Sequence, residues 1–282
     1  MEYVIGIGSQ RAGSTLLHRL LQASTDIFMH PVKELHYFDT LYGYRDAAAL
    51  SDFSFRQLAR EVNHIVGAKA FDFIDQNYRC YLRTNLILSK TPIQSVQYHD
   101  LFRPMLSRRQ LFGEVTPEYM LLDDASIEKM KSVVGENARI ILLCRHPVDR
   151  IISSAKLFNV YNNQGLDDAA LNAWLLSQAA QETAWMKTQD AYNDYAGTIE
   201  RYSRHFKRFV ALRYDDLISD PATQAQGLID KLDLSIDVAA FVKGLSSVVN
   251  SLGESSKIHS ELKQALDKRY EQSLKYYEGK HG

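Results

Sequence analysis

The chain has little cysteine, little proline and no surplus of charge of either sign: 2 Cys, 6 Pro, and 33 Lys+Arg against 34 Asp+Glu in 282 residues. Cys80 and Cys144 lie far apart without metal-ligand spacing, which excludes a disulfide-stapled scaffold and a zinc site, so both thiols are expected reduced. Cys144 ends an apolar run and reads as a core residue. A net charge of −1 and a pI near 6.8 provide no global basic field for nucleic acid, so any anion site must be local. No apolar run reaches the length of a membrane span. The first strand-like run begins at Tyr3, leaving no room for a signal peptide in the numbered chain, and a cytoplasmic protein is expected. No repeat, low-complexity tract or linker interrupts the pattern, so residues 1–282 are expected to form a single domain. With 45% hydrophobic residues the chain can bury a substantial core.

What is present is concentrated at the start. Tyr3 to Ile7 reads as a short buried strand and Gly8 to Gly13 as a tight loop. From Ser14 onward Leu16, Leu17, Leu20 and Leu21 recur at helical spacing. Strand, glycine loop and helix N-terminus together make a phosphate cradle, because free amide N–H groups and the positive end of the helix dipole converge there. Further on, Thr25 to Met29 and His30 to Asp39 read as extended segments delivering polar groups toward the cradle. Residues 41–89 read as helical, with Phe53, Phe55, Leu58 and Val62 on one face. Strands are expected at Gln110–Glu114, Arg139–Cys144 and Phe209–Arg213. Helices are expected at Ala125–Val134, stopped by Gly135, at Val148–Phe158, as a pair over 166–204, and from Asp220-Pro221 to Leu232. The unbroken apolar run Ile140 to Cys144 suits a strand covered on both faces. This alternation predicts an α/β, three-layer fold with a central, mainly parallel sheet of the P-loop NTPase-like kind, with ligands beyond the strand C-termini.

The cradle departs from an ATP loop in two places. Gly8 to Gly13 has the glycine spacing of a P-loop, but Ser14-Thr15 stands where Lys-Ser/Thr belongs, and the positive charge sits inside the loop at Arg11. The strand before residue 145 should end in an Asp that helps hold Mg²⁺. It ends instead in Cys144-Arg145, and an arginine there is a fork for phosphate that repels a metal. Both changes point to a phosphorylated nucleotide bound without Mg²⁺ and without a γ-phosphate.

These residues resemble the 3′-phosphoadenylyl-sulfate (PAPS)-dependent sulfotransferases. Ser9-Gln10-Arg11-Ala12-Gly13-Ser14-Thr15 is similar to their 5′-phosphosulfate loop, and Arg145-His146-Pro147 followed by Ser153 has the spacing of their 3′-phosphate site. Lys33-Glu34-Leu35-His36-Tyr37-Phe38-Asp39 resembles the Glu-x-His-x-Phe-Asp stretch of the heparan-sulfate 3-O-sulfotransferase-like branch. Gly113 to Tyr119 resembles that branch's Glu-Lys-Thr-Pro-x-Tyr segment, and the polar loop Gly253 to Lys257 resembles the loop that closes over the nucleotide. Val115 stands where the branch has lysine, which argues against a heparan-type polysaccharide; Lys33 and Lys90 are the candidate replacements.

The resemblance implies sulfuryl transfer from PAPS, leaving 3′,5′-ADP, to a hydroxyl or amine of a small-molecule or glycan-like acceptor, with no metal and with neither nucleic acid nor membrane as partner. Glu34 is the implied general base, and Arg11, His36 and Asp39 complete the implied catalytic set. Gln10, Arg11, Ala12, Gly13, Ser14, Thr15, Arg145, Ser153, Ser255, Ser256 and Lys257 are the implied nucleotide ligands, with the amides of Ala12 to Thr15 on the 5′-phosphate. In an extended segment His36 would share the face of Glu34. Asp149 and Arg150 read as helix-start and surface residues. The competing readings are a P-loop kinase or NTPase with a degenerate loop, and a nucleotide-binding regulator without catalysis.

Overall fold

The computed structural model describes residues 1–105, 110–249 and 259–279. Five parallel strands form one sheet in the order β2-β3-β1-β4-β5, comprising β1 Glu2–Gly8, β2 Phe28–Met29, β3 Leu111–Val115, β4 Arg139–Cys144 and β5 Arg208–Arg213. The helices, in chain order, are α1 Ser14–Ser24, α2 Tyr37–Leu41, α3 Ala47–Gly67, α4 Gln76–Lys90, α5 Asp124–Val134, α6 Pro147–Tyr161 and α7 Asp168–Ala180. They continue with α8 Ala184–Asn193, α9 Tyr195–His205, α10 Tyr214–Ser219, α11 Pro221–Leu232, α12 Val238–Val249, α13 Ser260–Arg269 and α14 Glu271–Tyr277. No described helix is long and apolar enough to cross a membrane.

The apolar strands are continuous because both faces are covered, as a parallel sheet requires. Along β4, Ile140, Leu142 and Cys144 join the core beneath α2, α4, α5 and α9. Ile141 and Leu143 join the opposite core beneath α1, α11 and α12. Cys144 is buried, and burial pushes its thiol pKa well up, so it is a packing residue. A third cluster, including Val148, Leu175, Met186 and Leu266, ties α6, α7, α8 and α13 together. Because all five strands are parallel, their C-terminal ends share one edge of the sheet. There the loop after β1, the segment after β2, the turn after β3 and Arg145 after β4 meet.

Three local expectations are corrected. Residues 166–204 form three helices, because Thr183 and Asp194 cap α8 and α9 by accepting from the amides of Met186 and Gly197. Neither junction contains proline, so periodicity alone runs across them. The segment from His30 to His36 is irregular rather than extended, and α2 begins directly after it. In α3 the buried residues are Leu50 and Ser54, whereas Phe53, Phe55 and Val62 are exposed.

Candidate functional site

The loop between β1 and α1 opens on a cleft of about 400 Å³ lined by Gln10, Arg11, Gly13, Ser14 and Thr15, with Lys33, Glu34, Arg145 and Ser153 opposite. Helix α1 has no side-chain cap and no acidic residue in its first turn, so its leading amides and dipole face the cleft uncompensated. Gly13 starts the helix at φ 101, and a Cβ there would lie 2.9 Å from the Tyr214 ring. Only glycine satisfies both the left-handed backbone and the close approach. Ala12 is corrected as a ligand. It is fully buried, and its amide donates to the Ser9 carbonyl (3.1 Å), closing the loop from within.

The second cationic element lies in the same cleft. The Arg145 guanidinium donates to the Arg11 carbonyl (3.1 Å) and lies 5.4 Å from the Tyr214 ring centroid. Arg11 Nε donates to Ser153 Oγ (3.0 Å), so loop, strand end and α6 are linked through one contact chain. Burial, then the neighbouring Arg145 charge, lowers the Arg11 pKa. Two guanidinium groups whose charges act on each other in one cleft favour an anion there. Arg19, Leu157, Tyr161 and Tyr214 also line this cleft and were not anticipated. For Arg19 a signal existed, since it lies one helical turn beyond Thr15. Ser255, Ser256 and Lys257 lie outside the described residues.

Glu34 sits across the cleft, in a cluster with Lys33, His36, Asp39 and Glu118. Lys33 Nζ donates to Glu34 Oε1, and His36 Nε2 lies 3.6 Å from Glu34 Oε2. His36 Nδ1 is 2.7 Å from Asp39 Oδ2 and 3.7 Å from Glu118 Oε2. The meeting of Glu34 and His36 does not come from strand alternation. Both residues adopt left-handed backbones (φ 69 and 49), each costing about 1–2 kcal/mol for a non-glycine residue. Such paired outliers belong where surrounding contacts over-determine the chain.

Burial alone would raise the Glu34 pKa, but His36 and Lys33 outweigh it and hold the carboxyl at about 2. Burial likewise works against the His36 imidazolium, yet hydrogen bonds to Asp39 and Glu34, and the Glu118 charge, raise it to about 9. Near neutrality Glu34 is therefore ionised and His36 protonated, a carboxylate and an imidazolium facing each other. Glu34, His36 and Glu118 place ligand atoms within 4.8 Å of one another, an arrangement already charge-paired by His36 and Lys33. Asp39 is fully buried behind His36 and does not line the cleft; it touches the imidazole rather than the cavity.

The supporting residues contain the largest surprises. Arg150 is not a surface residue: it is fully buried, donating to Asn193 Oδ1 (2.6 Å), Gln189 Oε1 (3.1 Å), the Gln189 carbonyl (3.0 Å) and Ser154 Oγ (3.2 Å). Its Nη1 also reaches the Gln10 carbonyl at 3.5 Å, bracing the loop from below. Asp149 does lie on the first turn of α6, as expected. Glu118, missed by sequence reasoning, accepts from Gln10 Nε2 (3.2 Å) and so connects the loop to the His36 cluster. Val115 is fully buried and packs on Gly6, where a Cβ would lie 2.8 Å from it. A charged lysine at 115 would thus have to enter the core. Of the two candidate replacements, Lys33 lines the cleft, whereas Lys90 lies over the Phe55 ring and borders a different pocket. Thr116 and Tyr119 are fully buried and hydrogen-bond to Glu114, and Tyr98 and Phe102 are buried in the core.

Comparison with known proteins finds similar folds. The fold is similar to a sulfotransferase from Alicyclobacillus acidocaldarius (TM-score 0.57, 16% identity, covering 99% of this chain and 95% of that one). It is also similar to the sulfotransferase domain from the curacin biosynthetic pathway (TM-score 0.51, 16% identity, covering 95% of this chain and 97% of that one). No curated protein matches by sequence. The model of the Sulfotransferase family matches residues 4–238, which include the described cleft and all of the sheet except the first two residues of β1, and the chain belongs to that family.

Proposed function

We propose that the protein transfers the sulfuryl group of PAPS to a hydroxyl or amine of a small acceptor. The observation that carries this reading is a single cleft holding an uncapped helix N-terminus, two adjacent arginines and, across from them, a carboxylate. A donor with phosphate at both the 5′ and 3′ positions matches such a doubled cation site, and β4 supplies no carboxylate for Mg²⁺ where a kinase would have one.

The residues present fit this donor. The amides of Gly13, Ser14 and Thr15 would hold the 5′-phosphate, with Arg11 beside it; Arg145 and Ser153 would hold the 3′-phosphate. The S–O bond to the 5′-phosphate breaks as the acceptor oxygen or nitrogen bonds to sulfur. The phosphate leaves with the bonding electrons, and Glu34 takes the acceptor proton. At a pKa of about 2 Glu34 is fully ionised but weakly basic. A donor that draws Lys33 toward its own negative charge removes one of the two cations holding that value down. Basicity then rises when donor is bound. His36, backed by Asp39 and Glu118, orients the carboxylate, and Lys33 supplies the cation that Val115 does not. A cytoplasmic enzyme with this donor is the corresponding cellular reading.

Thermal shift with 3′,5′-ADP against ATP-Mg²⁺, followed by a sulfur-35 transfer assay over acceptor classes, tests this. Stabilisation by 3′,5′-ADP and label transfer are expected; stabilisation by ATP-Mg²⁺ alone would mean a kinase-like site.

A further inference from the structure

Helix α6 leaves Ser153 behind on an apolar stripe. Ser153, Leu157 and Tyr161 all line the cleft and stand four residues apart on one helix face, along about 12 Å of its axis. Beyond Ser153 the lining contributed by α6 is therefore one aliphatic and one aromatic side chain. The rest of this stretch is pinned. Phe158 stacks on Trp174 with ring centroids 5.0 Å apart and meets Trp185 at 5.8 Å. Asn159 Nδ2 donates to the Leu166 carbonyl (2.8 Å), and Asn159 Oδ1 accepts from the Leu166 amide (3.0 Å). Leu157 is partly buried, whereas Tyr161 is 77% exposed and, among the described residues, makes no hydrogen bond and no ring contact. The end of the helix is thus fixed while the Tyr161 ring on it stays uncovered.

We infer that the acceptor carries its hydroxyl or amine on an apolar, ring-bearing body that lies along Leu157 and Tyr161. The inference rests on the sulfotransfer reading above and names the class of acceptor for that same cleft. Under that reading the loop, Arg145 and Ser153 serve the donor, and Lys33 and Glu34 serve the reacting centre. Tyr214, another ring in the cleft, is already met by the Arg145 guanidinium at 5.4 Å. The stripe is close to the reacting centre: the Tyr161 phenol and the Glu34 carboxylate both act on the Arg11 charge, and such interactions weaken with distance. Leu157 offers a sugar no hydrogen bond and Tyr161 only the tip of its phenol. A ring laid on Tyr161 gains an offset stack of about 0.5–1.5 kcal/mol beyond the area it covers.

Calorimetric titration of 2-naphthol into the full chain saturated with 3′,5′-ADP tests this, with glucose as the polar control. 2-Naphthol should bind and glucose should not. Leu157→Ser with Tyr161→Ser should weaken 2-naphthol about 10–100-fold while leaving 3′,5′-ADP affinity and circular dichroism unchanged. Tyr161→Phe should keep 2-naphthol, because the ring carries the contact. Absence of 2-naphthol binding, binding indifferent to the double substitution, or equal binding of glucose overturns the inference. A loss of 3′,5′-ADP affinity as large as that of 2-naphthol also overturns it, since the stripe would then belong to the nucleotide. So does a loss in Tyr161→Phe as large as in Tyr161→Ser, which would put the phenol rather than the ring in contact. Failure of 3′,5′-ADP itself to bind is seen in the first titration; it removes the donor reading, and this inference with it.

Discussion

The two sides of the cleft are built from different materials. The loop side, Gly8 to Thr15, presents main-chain amides at a helix start, and its cations Arg11 and Arg145 are fixed by contacts to a carbonyl and a hydroxyl. Arg150 braces it from within the core. The opposite side is a side-chain assembly. Lys33, Glu34, His36, Asp39 and Glu118 converge on an irregular segment with two left-handed non-glycine residues, and their mutual charges set their protonation. Anion binding can be supplied by backbone geometry that comes with the strand-loop-helix unit. Proton transfer needs a tuned carboxylate, and tuning requires partners brought from elsewhere in the chain.

The sharpest separation of the two sides should come from Glu34→Gln. Transfer is expected to fall about 10²–10⁴-fold, while calorimetry with 3′,5′-ADP should show nearly unchanged affinity. Unchanged turnover would remove Glu34 from the chemistry. Next in size is Arg150→Ala, which leaves a cavity and several unpaired buried groups. A stability loss of about 3–5 kcal/mol is expected from denaturant unfolding, and a loss below 1 kcal/mol would show that the loop does not depend on that brace. Arg145→Ala should weaken 3′,5′-ADP about 10–100-fold through loss of a charged hydrogen bond, with a much smaller effect on 5′-AMP. Equal losses for the two nucleotides would move the 3′ site elsewhere.

The side-chain half should be recognisable by its pH dependence. His36 is raised to about 9, so its charge is present below that pH and disappears as pH rises through it. Turnover should fall on that alkaline limb, and Glu118→Gln should move the limb to lower pH by removing a carboxylate that favours the imidazolium. A limb that does not move would detach Glu118 from the cluster. A last test concerns the support beneath β3, away from both sides of the cleft. Glu114, fully enclosed, is raised to about 7 by burial, partly offset by hydrogen bonds from Tyr98, Thr116 and Tyr119. Its folded pKa exceeds its unfolded value, so the native state binds the extra proton. Stability is therefore greatest below the unfolded pKa and declines as pH rises toward and through 7. Relative to Glu114→Gln, the native protein should lose up to about 3 kcal/mol between pH 5 and pH 8; parallel curves would contradict a carboxyl that titrates there.

Much of the fold was legible because its signals are local. The unbroken run Ile140 to Cys144 requires cover on both faces, and β4 has it. Asp220-Pro221 marks a helix start, and Asp220 does cap α11. The α7–α9 junctions were not legible, since an N-cap without proline leaves the apolar period nearly unbroken. In α3, periodicity could mark apolar positions but not which of them the body covers: burial goes to Leu50 and Ser54, and Phe55 remains outside.

The same division runs through the site. The chain's own order determined the strand-loop-helix cradle, because the amides of Gly13, Ser14 and Thr15 and the charge of Arg11 are contiguous and need only a strand before them and a helix after. It also determined the second cation, since Arg145 directly follows β4. Only the tertiary structure decided that Ala12 turns its amide inward, that Arg150 is a buried brace, and that Val115 faces the core while Lys33 faces the cleft. It alone brought Glu118 to His36 and lowered the Glu34 pKa. These outcomes depend on burial and on charges many residues apart, and both exist only once the chain has closed on itself.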